Sequence, residues 1–437
     1  ARYLLLNEKR KLKKRYADRA ISSKENKVLF ITYTNHLSKE GKIDRLQNLI
    51  DSFKDDNSLK SFVLFVDPLS KNTYSRIRDK NNIYNHYDSA VDEKAKNISL
   101  ELFARWNRLP EEHKQELITI GGKKAWEYFR YPLNFYFSKE FLYIIVLHYE
   151  LLKKIVKEQG IKAIVLTAVN SLEERCAMAI AKNNGIPSYY IQHGIGEGVI
   201  PLELYSTKIL VFGEKYRQNL IGLGCDKEKI LVTGPLIFDD LLKYKKSKLK
   251  SIDEVKKILV LTQPFLELNI WDAKQKDLFM DNLSKIFMLF DGSKKTIKLH
   301  PLEEEKSYLS FFNGSSRVEI KKEADTYSLI DQADLIIGIY STTLCAATIL
   351  NKPIILLDLF NNINPQEWGG GRYINKEISL YLTDTDQALD KISNFLESFN
   401  LRQNIARRDK YIKDNFYKVD GDGYKRIYKI IKKNKTI

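Results

Sequence analysis

Short apolar runs alternate with segments of helical periodicity along much of the chain. In the first half, runs rich in β-branched and aromatic residues occupy 27–33, 61–66, 163–167, 188–191, 208–212 and 230–232. Apolar residues at helical spacing are found over 41–55, 172–183 and 214–223. Strands that alternate with helices form βαβ units, so this pattern predicts a parallel sheet with helices on its faces.

A second series of the same kind follows a lysine-rich polar stretch at 241–257, which we interpret as a linker. It has apolar runs at 258–262, 296–300, 317–320, 333–339 and 353–358, a helix expected over 272–289 and a turn expected over 327–332. Residues 384–433 are expected to be helical. The predicted fold class is α/β, with two successive Rossmann-like domains over 1–245 and 246–437.

Residues 70–155 interrupt the first series. This segment is mostly helical in pattern and rich in Tyr, Phe and Trp, and we interpret it as a helical insertion in the first domain. Its aromatic side chains are expected to form a core, and a platform that stacks against a ligand is the alternative.

Charge adds a preference for anionic partners. Among 437 residues, 72 Lys and Arg stand against 56 Asp and Glu, a formal net charge of +16. This excess favours phosphorylated substrates, polyanions or anionic membranes without choosing among them. The basic run at 9–15 fits a contact with anionic lipid or a solvated helix face equally well. Because no apolar run reaches 18 residues, we expect a cytoplasmic protein, and peripheral contact with the inner face of the membrane stays open, as does a segment before Ala1.

Several kinds of chemistry are disfavoured by the sequence. The cysteines Cys176, Cys225 and Cys345 lack paired or metal-type spacing, which fits a reducing compartment and argues against a zinc site. Neither a G-x-x-x-x-G-K-[ST] loop nor a helix-opening G-x-G-x-x-G is present, which argues against an NTPase and a dinucleotide enzyme. We expect no catalytic metal, no cofactor apart from the substrate itself, and no nucleic-acid partner.

A cluster of hydroxyl residues follows the apolar run at 333–339. Tyr340, Ser341, Thr342 and Thr343 occupy a predicted strand-to-helix turn. A helix start has backbone N–H groups without intrahelical partners and the positive end of the helix dipole, so hydroxyls placed there help to hold a phosphate. The alternative is that one hydroxyl simply caps the helix.

Two further loops of the second series follow predicted strands. Gln263 comes after the first run, and His300-Pro301 after another. The carboxyl ends of parallel strands form the ligand edge of open α/β sheets, so these residues are expected to converge with 340–343. His300 could donate a hydrogen bond or a proton to a phosphate oxygen, and a structural histidine is the alternative.

The first series has its own candidate loop at 192–198, directly after a strand. It combines His193, Glu197 and three glycines, which permit close approach of backbone to a ligand. Either His193 or Glu197 could accept a proton from a hydroxyl nucleophile, unless the loop is only a tight connection. Weaker candidates are Glu173, Glu174 and Arg175 at a helix start, Arg372 in a glycine-rich loop, and Asn35-His36 after the first strand.

These motifs together carry a family resemblance. The His193-Gly194 loop, His300-Pro301, residues 341–343, and Asp420-Gly421 with Arg426-Ile427 look like GT-B-fold transferases of bacterial surface polysaccharide synthesis. The His-Pro and Ser/Thr motifs are similar to those of bacterial sialyltransferases, Kdo transferases and teichoic-acid polymerases. The resemblance covers roughly 160–430, and the first 150 residues match only in general architecture.

The resemblance implies specific roles. His300, Ser341 and Thr342 would contact the donor phosphate, His193 would match the base of the teichoic-acid polymerases, and Glu197 is the nearest match to the acidic base of the sialyltransferases. The Pro that follows the histidine in the teichoic-acid pattern is absent here. No pair of glutamates typical of many retaining enzymes is evident in the second domain, which favours inversion.

The function expected from this resemblance is an inverting, metal-independent glycosyltransferase. It would take a nucleotide-activated sugar, with a CMP-linked acidic sugar preferred, and transfer it to a surface glycan or a lipid-linked saccharide. A CDP-polyol phosphotransferase of the teichoic-acid type is the nearest alternative. A UDP-sugar epimerase is disfavoured because no matching acidic cluster is found, and a non-catalytic binder of polyanionic glycans is the alternative from another class.

Overall fold

The computed structural model describes residues 25–38, 41–43, 45–67, 77, 80–120, 122–169, 171–194, 206–244, 251–312, 315, 317–339, 341–360 and 378–433. They form two compact units. The first unit contains the described residues of 1–191, 202–210 and 427–437, and the second those of 192–201 and 211–426.

The strands of the described residues are short. They are β1 (Lys27–Thr32), β2 (Lys60–Phe65), β3 (Thr119–Ile120), β4 (Lys123–Lys124), β5 (Ile161–Leu166), β6 (Ser188–Ile191), β7 (Lys208–Val211), β8 (Ile230–Val232), β9 (Lys257–Leu261), β10 (Lys294–Lys298), β11 (Val318–Lys321), β12 (Leu335–Gly338), β13 (Ile354–Leu357) and β14 (Leu380–Leu382).

The α-helices vary from one turn and a half to more than five turns. They are α1 (Gln47–Ser52), α2 (Ser89–Arg108), α3 (Glu111–Glu116), α4 (Trp126–Tyr136), α5 (Lys139–Glu158), α6 (Leu172–Asn183), α7 (Glu214–Gly222), α8 (Ala273–Met288), α9 (Glu305–Phe311), α10 (Thr326–Gln332), α11 (Thr342–Ile349), α12 (Ala388–Phe399), α13 (Arg402–Phe416) and α14 (Gly423–Lys433).

Two six-stranded sheets organise these elements. The first has the order β2-β1-β5-β6-β7-β8, with parallel pairing from β2 to β7. The second has the order β11-β10-β9-β12-β13-β14 and is parallel throughout. The strand order reverses between β1 and β5 in the first sheet and between β9 and β12 in the second. Such reversals leave a crevice at the carboxyl ends of the strands.

The central strands explain why the apolar runs predicted the sheets so well. β6, β12 and β13 are buried along their whole length, and β1, β5 and β9 are buried at all but one position each. Parallel strands covered by helices on both faces need apolar residues at successive positions rather than at alternate ones. The two parallel sheets, and hence the α/β fold class, are as predicted, except that β14 adds a sixth strand to the second sheet.

Within the first unit, α14 is tied to the turn that follows α1. The Asp56 carboxylate accepts a hydrogen bond from the Tyr428 hydroxyl at 2.6 Å and pairs with the Lys432 ammonium at 2.6 Å. Tyr428 also packs against Phe53, with 4.8 Å between ring centroids. Burial alone would raise the pKa of Asp56, but hydrogen bonds from Lys432, Tyr428 and Ser58 hold it well below its usual value.

Within the second unit, the start of α14 is capped by a distant side chain. The two Asp239 carboxylate oxygens accept hydrogen bonds from the backbone N–H groups of Gly423 at 3.0 Å and Tyr424 at 2.9 Å. A Cβ on Gly423 would lie 2.8 Å from Asp239 Oδ1, so only glycine permits this approach. The carboxylate satisfies two N–H groups that a helix start otherwise leaves unpaired.

Some local predictions are wrong. Of the helix predicted over 41–55, only α1 is helical, because Gly41 and Arg45 adopt positive φ angles of 77° and 67° and Ile43 forms an antiparallel bridge with Leu37. The turn predicted over 327–332 is instead helix α10, because Asp325 caps the backbone N–H groups of Tyr327 and Ser328. The β3–β4 hairpin and β14 were not predicted.

The helical insertion contains α2 to α5, as predicted, but its aromatic residues are only partly a core. Trp106 and Trp126 are buried, whereas Tyr128 and Tyr131 of α4 are among the most exposed large side chains of the described residues. Among the described helices, none combines the length and the apolar character needed to cross a bilayer.

The chain leaves the first sheet after β8 and enters the second at β9, so it passes between the sheets near the proposed linker. The compact units divide the chain elsewhere, since residues 211–244 belong to the second unit and 427–433 to the first. The division of donor and acceptor functions at residue 245 stays a prediction.

Candidate functional site

The carboxyl ends of three adjacent strands in the second unit carry the predicted donor residues. β9 lies between β10 and β12, with Leu261 opposite both Lys298 and Gly338. Gln263 follows the middle strand, while His300 and Ser341 follow its two neighbours. Two strand spacings separate the outer pair, roughly 10 Å. This is the reversal point of the second sheet, and a nucleotide phosphate group fits within that span.

Ser341 caps helix α11. Its Oγ accepts a hydrogen bond from the Thr343 N–H at 3.1 Å, and it lies 2.6 Å from the Thr343 Oγ1. Ser341 is therefore a helix cap, and its contact with a phosphate stays a prediction. The cap does not bury the helix start completely, since Ser341, Thr342 and Thr343 all remain partly exposed to solvent. A phosphate seat and a cap coexist when different hydroxyls perform the two tasks.

The loop that carries His193 comes very close to this helix start. A Cβ on Gly194 would lie 2.9 Å from Thr342 Oγ1, so glycine alone allows the contact without a shift. Both residues belong to the second unit. The structure thus places two separately predicted motifs side by side, with half-buried His193 next to the contact.

The side chain of Gln192 fixes the backbone of this loop through hydrogen bonds. Its side chain is fully buried, and its Nε2 donates a hydrogen bond to the Gly194 carbonyl at 2.9 Å while its Oε1 accepts one from the Phe212 N–H at 2.8 Å. The amide therefore fixes the backbone that approaches Thr342. Sequence reasoning treated Gln192 only as part of the loop, because nothing in the local pattern shows which way its side chain turns.

His300 has a defined tautomer. Its Nδ1 accepts a hydrogen bond from the Leu302 N–H at 3.2 Å, so the neutral ring carries its proton on Nε2. Burial, assisted by the nearby Lys298 ammonium, lowers the pKa of His300. The ring is therefore a neutral N–H donor near pH 7, which suits a hydrogen bond to a phosphate oxygen.

A buried carboxylate that sequence reasoning missed positions this histidine. Glu303 Oε2 accepts hydrogen bonds from the His300 N–H at 2.8 Å and from the Thr262 hydroxyl, and Oε1 accepts one from the Tyr308 hydroxyl at 2.6 Å. Burial raises the pKa of Glu303. This carboxylate ties the loop after β10 to the end of β9. The available signal was its position three residues after His300.

The remaining predicted residues of the donor site and the base loop fall into two groups. Gln263 is half-buried after β9, and Pro301 is exposed beside His300. Glu197, Tyr340 and Arg372 lie outside the described residues, so their roles stay predictions.

The carboxyl edge of the first sheet forms a second polar cluster, at the reversal between β1 and β5. Glu174 is fully buried and accepts hydrogen bonds from the Ala168 N–H at 3.2 Å and the Ser171 hydroxyl at 3.0 Å. Burial raises the pKa of Glu174 to about 7. Tyr33, after β1, lies beside Glu174, and the pKa of its phenol is raised by burial and then by that carboxylate.

One hydroxyl at this edge, the buried Oγ1 of Thr167 at the end of β5, has no hydrogen-bond partner among the described residues. The Tyr33 hydroxyl, at the end of the neighbouring strand β1, lies beside Ser171 and Glu174. A buried polar atom is normally paired, so the Thr167 hydroxyl at a sheet reversal indicates a place for a polar ligand.

The weaker first-domain candidates are arranged around this cluster. Glu173 lies 3.4 Å from His148 Nε2, and His148 also contacts the Tyr84 hydroxyl at 3.1 Å. Arg175 is exposed. Burial and then the charge of Arg45 lower the pKa of His36 to about 4, so it is neutral near pH 7. Among the described residues, no group of His, Cys, Asp and Glu is arranged to hold a metal ion.

Sequence comparison gives no assignment, because the chain matches no protein-family model and no curated protein sequence.

Solved structures are similar in fold. An S. aureus MnaA–UDP co-structure has a TM-score of 0.55 and 11% identity and covers 94% of this chain and 96% of its own. The UDP-GlcNAc 2-epimerase from Methanocaldococcus jannaschii has a TM-score of 0.55 and 13% identity, with 94% and 99% covered.

A third similar structure is the UDP-GlcNAc 2-epimerase from Neisseria meningitidis bound to UDP-GlcNAc. It has a TM-score of 0.54 and 11% identity and covers 93% of this chain and 100% of its own. At these identities the likeness concerns the fold alone. The chain therefore has a GT-B-like fold, as the sequence resemblance implied.

Proposed function

We propose that this chain is an inverting, metal-independent glycosyltransferase that uses a nucleotide-activated sugar. The observation that carries the proposal is the contact of Gly194 with Thr342. It sets the loop of the candidate base against the helix start of the candidate phosphate seat. A transferase that breaks the bond between a sugar and a phosphate needs those two groups on either side of the anomeric carbon.

The donor phosphate would lie between α11 and His300. The first turn of α11 supplies the positive end of a helix dipole, and the Thr342 hydroxyl points toward the loop. His300 would donate through Nε2–H to a phosphate oxygen. As the glycosidic bond breaks, negative charge grows on that oxygen, and the fixed donors stabilise it without a metal ion.

The proposed reaction is a direct displacement. A hydroxyl oxygen of the acceptor bonds to the anomeric carbon, the bond from that carbon to the phosphate oxygen breaks, and the nucleotide leaves with both electrons. The proton of the acceptor passes to a base, for which His193 and Glu197 are the two candidates. One displacement inverts the anomeric configuration.

The acceptor would bind at the carboxyl edge of the first sheet. The buried hydroxyl of Thr167, which lacks a partner among the described residues, supports a ligand with hydrogen-bonding groups such as hydroxyls. Glu174 is partly protonated near neutral pH, so it presents less negative charge than an ordinary carboxylate to an acidic glycan. A surface glycan or a lipid-linked saccharide has this chemistry.

The preferred donor is a CMP-linked acidic sugar, and a CDP-linked polyol is the alternative. The net charge of +16 supports either anionic donor. The structures with similar folds favour a second function, because two of them are named as UDP-GlcNAc 2-epimerases. Against an epimerase, the carboxylates beside the reversal are already engaged, since Glu174 is buried and bonded to Ser171 and Glu173 is held by His148.

Calorimetric titration of the full chain with CMP, CDP and UDP tests the nucleotide. We expect CMP to bind most tightly, and tight binding of CDP would support the polyol alternative. Incubation with UDP-GlcNAc, followed by NMR of the sugar, tests epimerisation. Epimerised sugar without transfer would establish the second function, and binding of none of the nucleotides would leave the non-catalytic glycan binder.

A further inference from the structure

Helix α4 presents aromatic side chains to solvent over somewhat less than half of its circumference. The exposed fractions are 84% for Tyr128, 72% for Tyr131, 55% for Phe135, 50% for Tyr136 and 38% for Phe129. At 100° per residue these five positions, with Pro132, fill one continuous sector without a charged residue. A surface helix normally turns its polar side outward, so this helix has the opposite arrangement.

The opposite side of α4 is firmly attached to the insertion. Trp126 is buried and donates from Nε1 to Glu111 Oε1 at 2.6 Å. Asn134 Oδ1 accepts a hydrogen bond from Trp106 Nε1 at 3.1 Å, and the Trp106 ring stacks on Phe137 at 4.0 Å between centroids. The exposed aromatic face is therefore held outward by packing beneath it.

The size of this face argues against a stable contact between two copies through α4 alone. The helix is 11 residues long, about 16 Å. If each fully exposed ring offers about 200 Å², the five exposed fractions amount to roughly 600 Å². A standard stable interface buries about 800 Å² on each partner.

The residues around this face favour a lipid surface. Three of the five exposed side chains are tyrosines, which place a ring in an apolar layer while the hydroxyl stays hydrated. Lys123 and Lys124 are exposed in the hairpin strand just before α4, and Lys139 is exposed just after it. Of the two exposed acidic residues nearby, Glu127 is paired with Arg130 at 3.4 Å and Glu140 follows Lys139, so four basic residues stand against two acidic ones over 123–140.

We propose that α4 and the β3–β4 hairpin form a docking surface for an anionic lipid bilayer. The aromatic face of α4 inserts at the level of the headgroups, and Lys123, Lys124 and Lys139 contact anionic headgroups at its margin. The surface lies in the first unit and uses none of the residues assigned to the donor or the acceptor.

A fluorescent label reports the contact directly. The three native cysteines, Cys176, Cys225 and Cys345, are buried, so Tyr131→Cys is selectively labelled with an environment-sensitive dye. Vesicles that contain phosphatidylglycerol should shift the emission to shorter wavelength, and neutral phosphatidylcholine vesicles should shift it much less. Met288→Cys, exposed on the second unit, is the matched control and should show no shift.

Flotation with the same vesicles tests the side chains. Replacement of Tyr128, Tyr131 and Phe135 by Ser should lower the bound fraction at least tenfold, whereas Leu309→Ser, an exposed apolar residue elsewhere, should leave it unchanged. The Lys123→Gln/Lys124→Gln variant, which leaves the aromatic packing intact, should weaken binding several-fold and only to anionic vesicles. Circular dichroism checks the fold of each variant.

The proposal is overturned if the chain floats with the vesicles while the dye at position 131 shows no emission shift. Another segment, such as 9–15, would then be the part that binds the vesicles. It is also overturned if the serine variant only abolishes a concentration-dependent dimer seen by sedimentation, or if no variant changes flotation. These measurements read binding to vesicles alone, so they stand or fall independently of transferase activity.

Discussion

Gly194 and Thr342 are neighbours in space although they lie 148 positions apart in the chain, and a Cβ on Gly194 would lie 2.9 Å from the Thr342 hydroxyl oxygen. This contact sets the distance between the candidate base loop and the candidate phosphate seat. Its geometry depends on the absence of a side chain at one position.

Gly194→Ala should therefore weaken donor binding. The new methyl group displaces the Thr342 hydroxyl or the loop, and we expect about a tenfold rise in the nucleotide Kd, ~1.4 kcal/mol. Titration calorimetry measures it. Gly222→Ala, at a position with open space around the added methyl group, is the control and should bind as the native chain does. Equal affinity for both variants would show that the contact is irrelevant to the donor.

His300→Ala should remove a hydrogen bond to the donor phosphate. Bonds to charged groups are worth about 1.5–3 kcal/mol, so nucleotide affinity should fall about 10- to 100-fold with little change in thermal stability. The exposed His113 provides a control in His113→Ala. His300→Gln, which keeps an N–H donor, should recover part of the affinity. Unchanged binding by His300→Ala would remove this residue from the site.

The base should be separable from the donor contacts by kinetics. His193→Ala and Glu197→Gln should differ, and the variant that lacks the true base should lose about 10²- to 10⁴-fold in kcat while the donor Kd stays near its native value. Steady-state rates and calorimetry on the same preparations give both quantities. If neither variant loses kcat selectively, the base lies elsewhere.

Stability should depend on pH through Glu174. Its pKa rises from 4.5 in the unfolded chain to about 7 in the fold, so the native state binds more protons between those values. The free energy of unfolding should therefore fall as pH rises from 4.5 to 7 and level off above. Denaturant titrations at several pH values should show a smaller slope for Glu174→Gln. An unchanged slope would mean that Glu174 is ionised throughout the range.

Asp239 should contribute to stability as a helix cap. Asp239→Ala leaves the N–H groups of Gly423 and Tyr424 without their acceptor, at a cost of about 1–2 kcal/mol in unfolding free energy. Urea unfolding measures the loss. Asp240→Ala, at the exposed neighbouring position, should cost less than 0.5 kcal/mol, about the usual range for surface substitutions. Equal effects would show that the cap adds nothing.

Sequence patterns predicted the sheets because burial on both faces leaves a continuous apolar run, as in β12. They also predicted that His300 and Ser341 follow strands of one sheet, since the alternation of strands and helices along the chain indicates a parallel sheet. The aromatic face of α4 was misjudged, because a ring has the same sequence signature in a core and on a surface.

Other features depend on contacts that no local pattern records. The positioning role of Glu303 depends on its hydrogen bond with Thr262, which lies 41 residues earlier in the chain. The contact of Gly194 with Thr342 has the same character, since either residue alone fits an ordinary turn or cap. The absence of helix at 41–43 and 45–46 was not predictable, because Arg45 adopts a backbone conformation that its residue type rarely takes.

The hydrogen bond of Tyr428 and the ion pair of Lys432 with Asp56 also affect when the first unit can complete its fold during translation. Tyr428, one of the two partners of Asp56 in α14, is translated 372 residues after it. At 5–20 residues per second, a ribosome needs about 20 to 70 s to cover that interval. The earlier part of the first unit therefore leaves the ribosome with only the local partners of Asp56, Ser58 and Leu59, and gains the two from α14 late in synthesis.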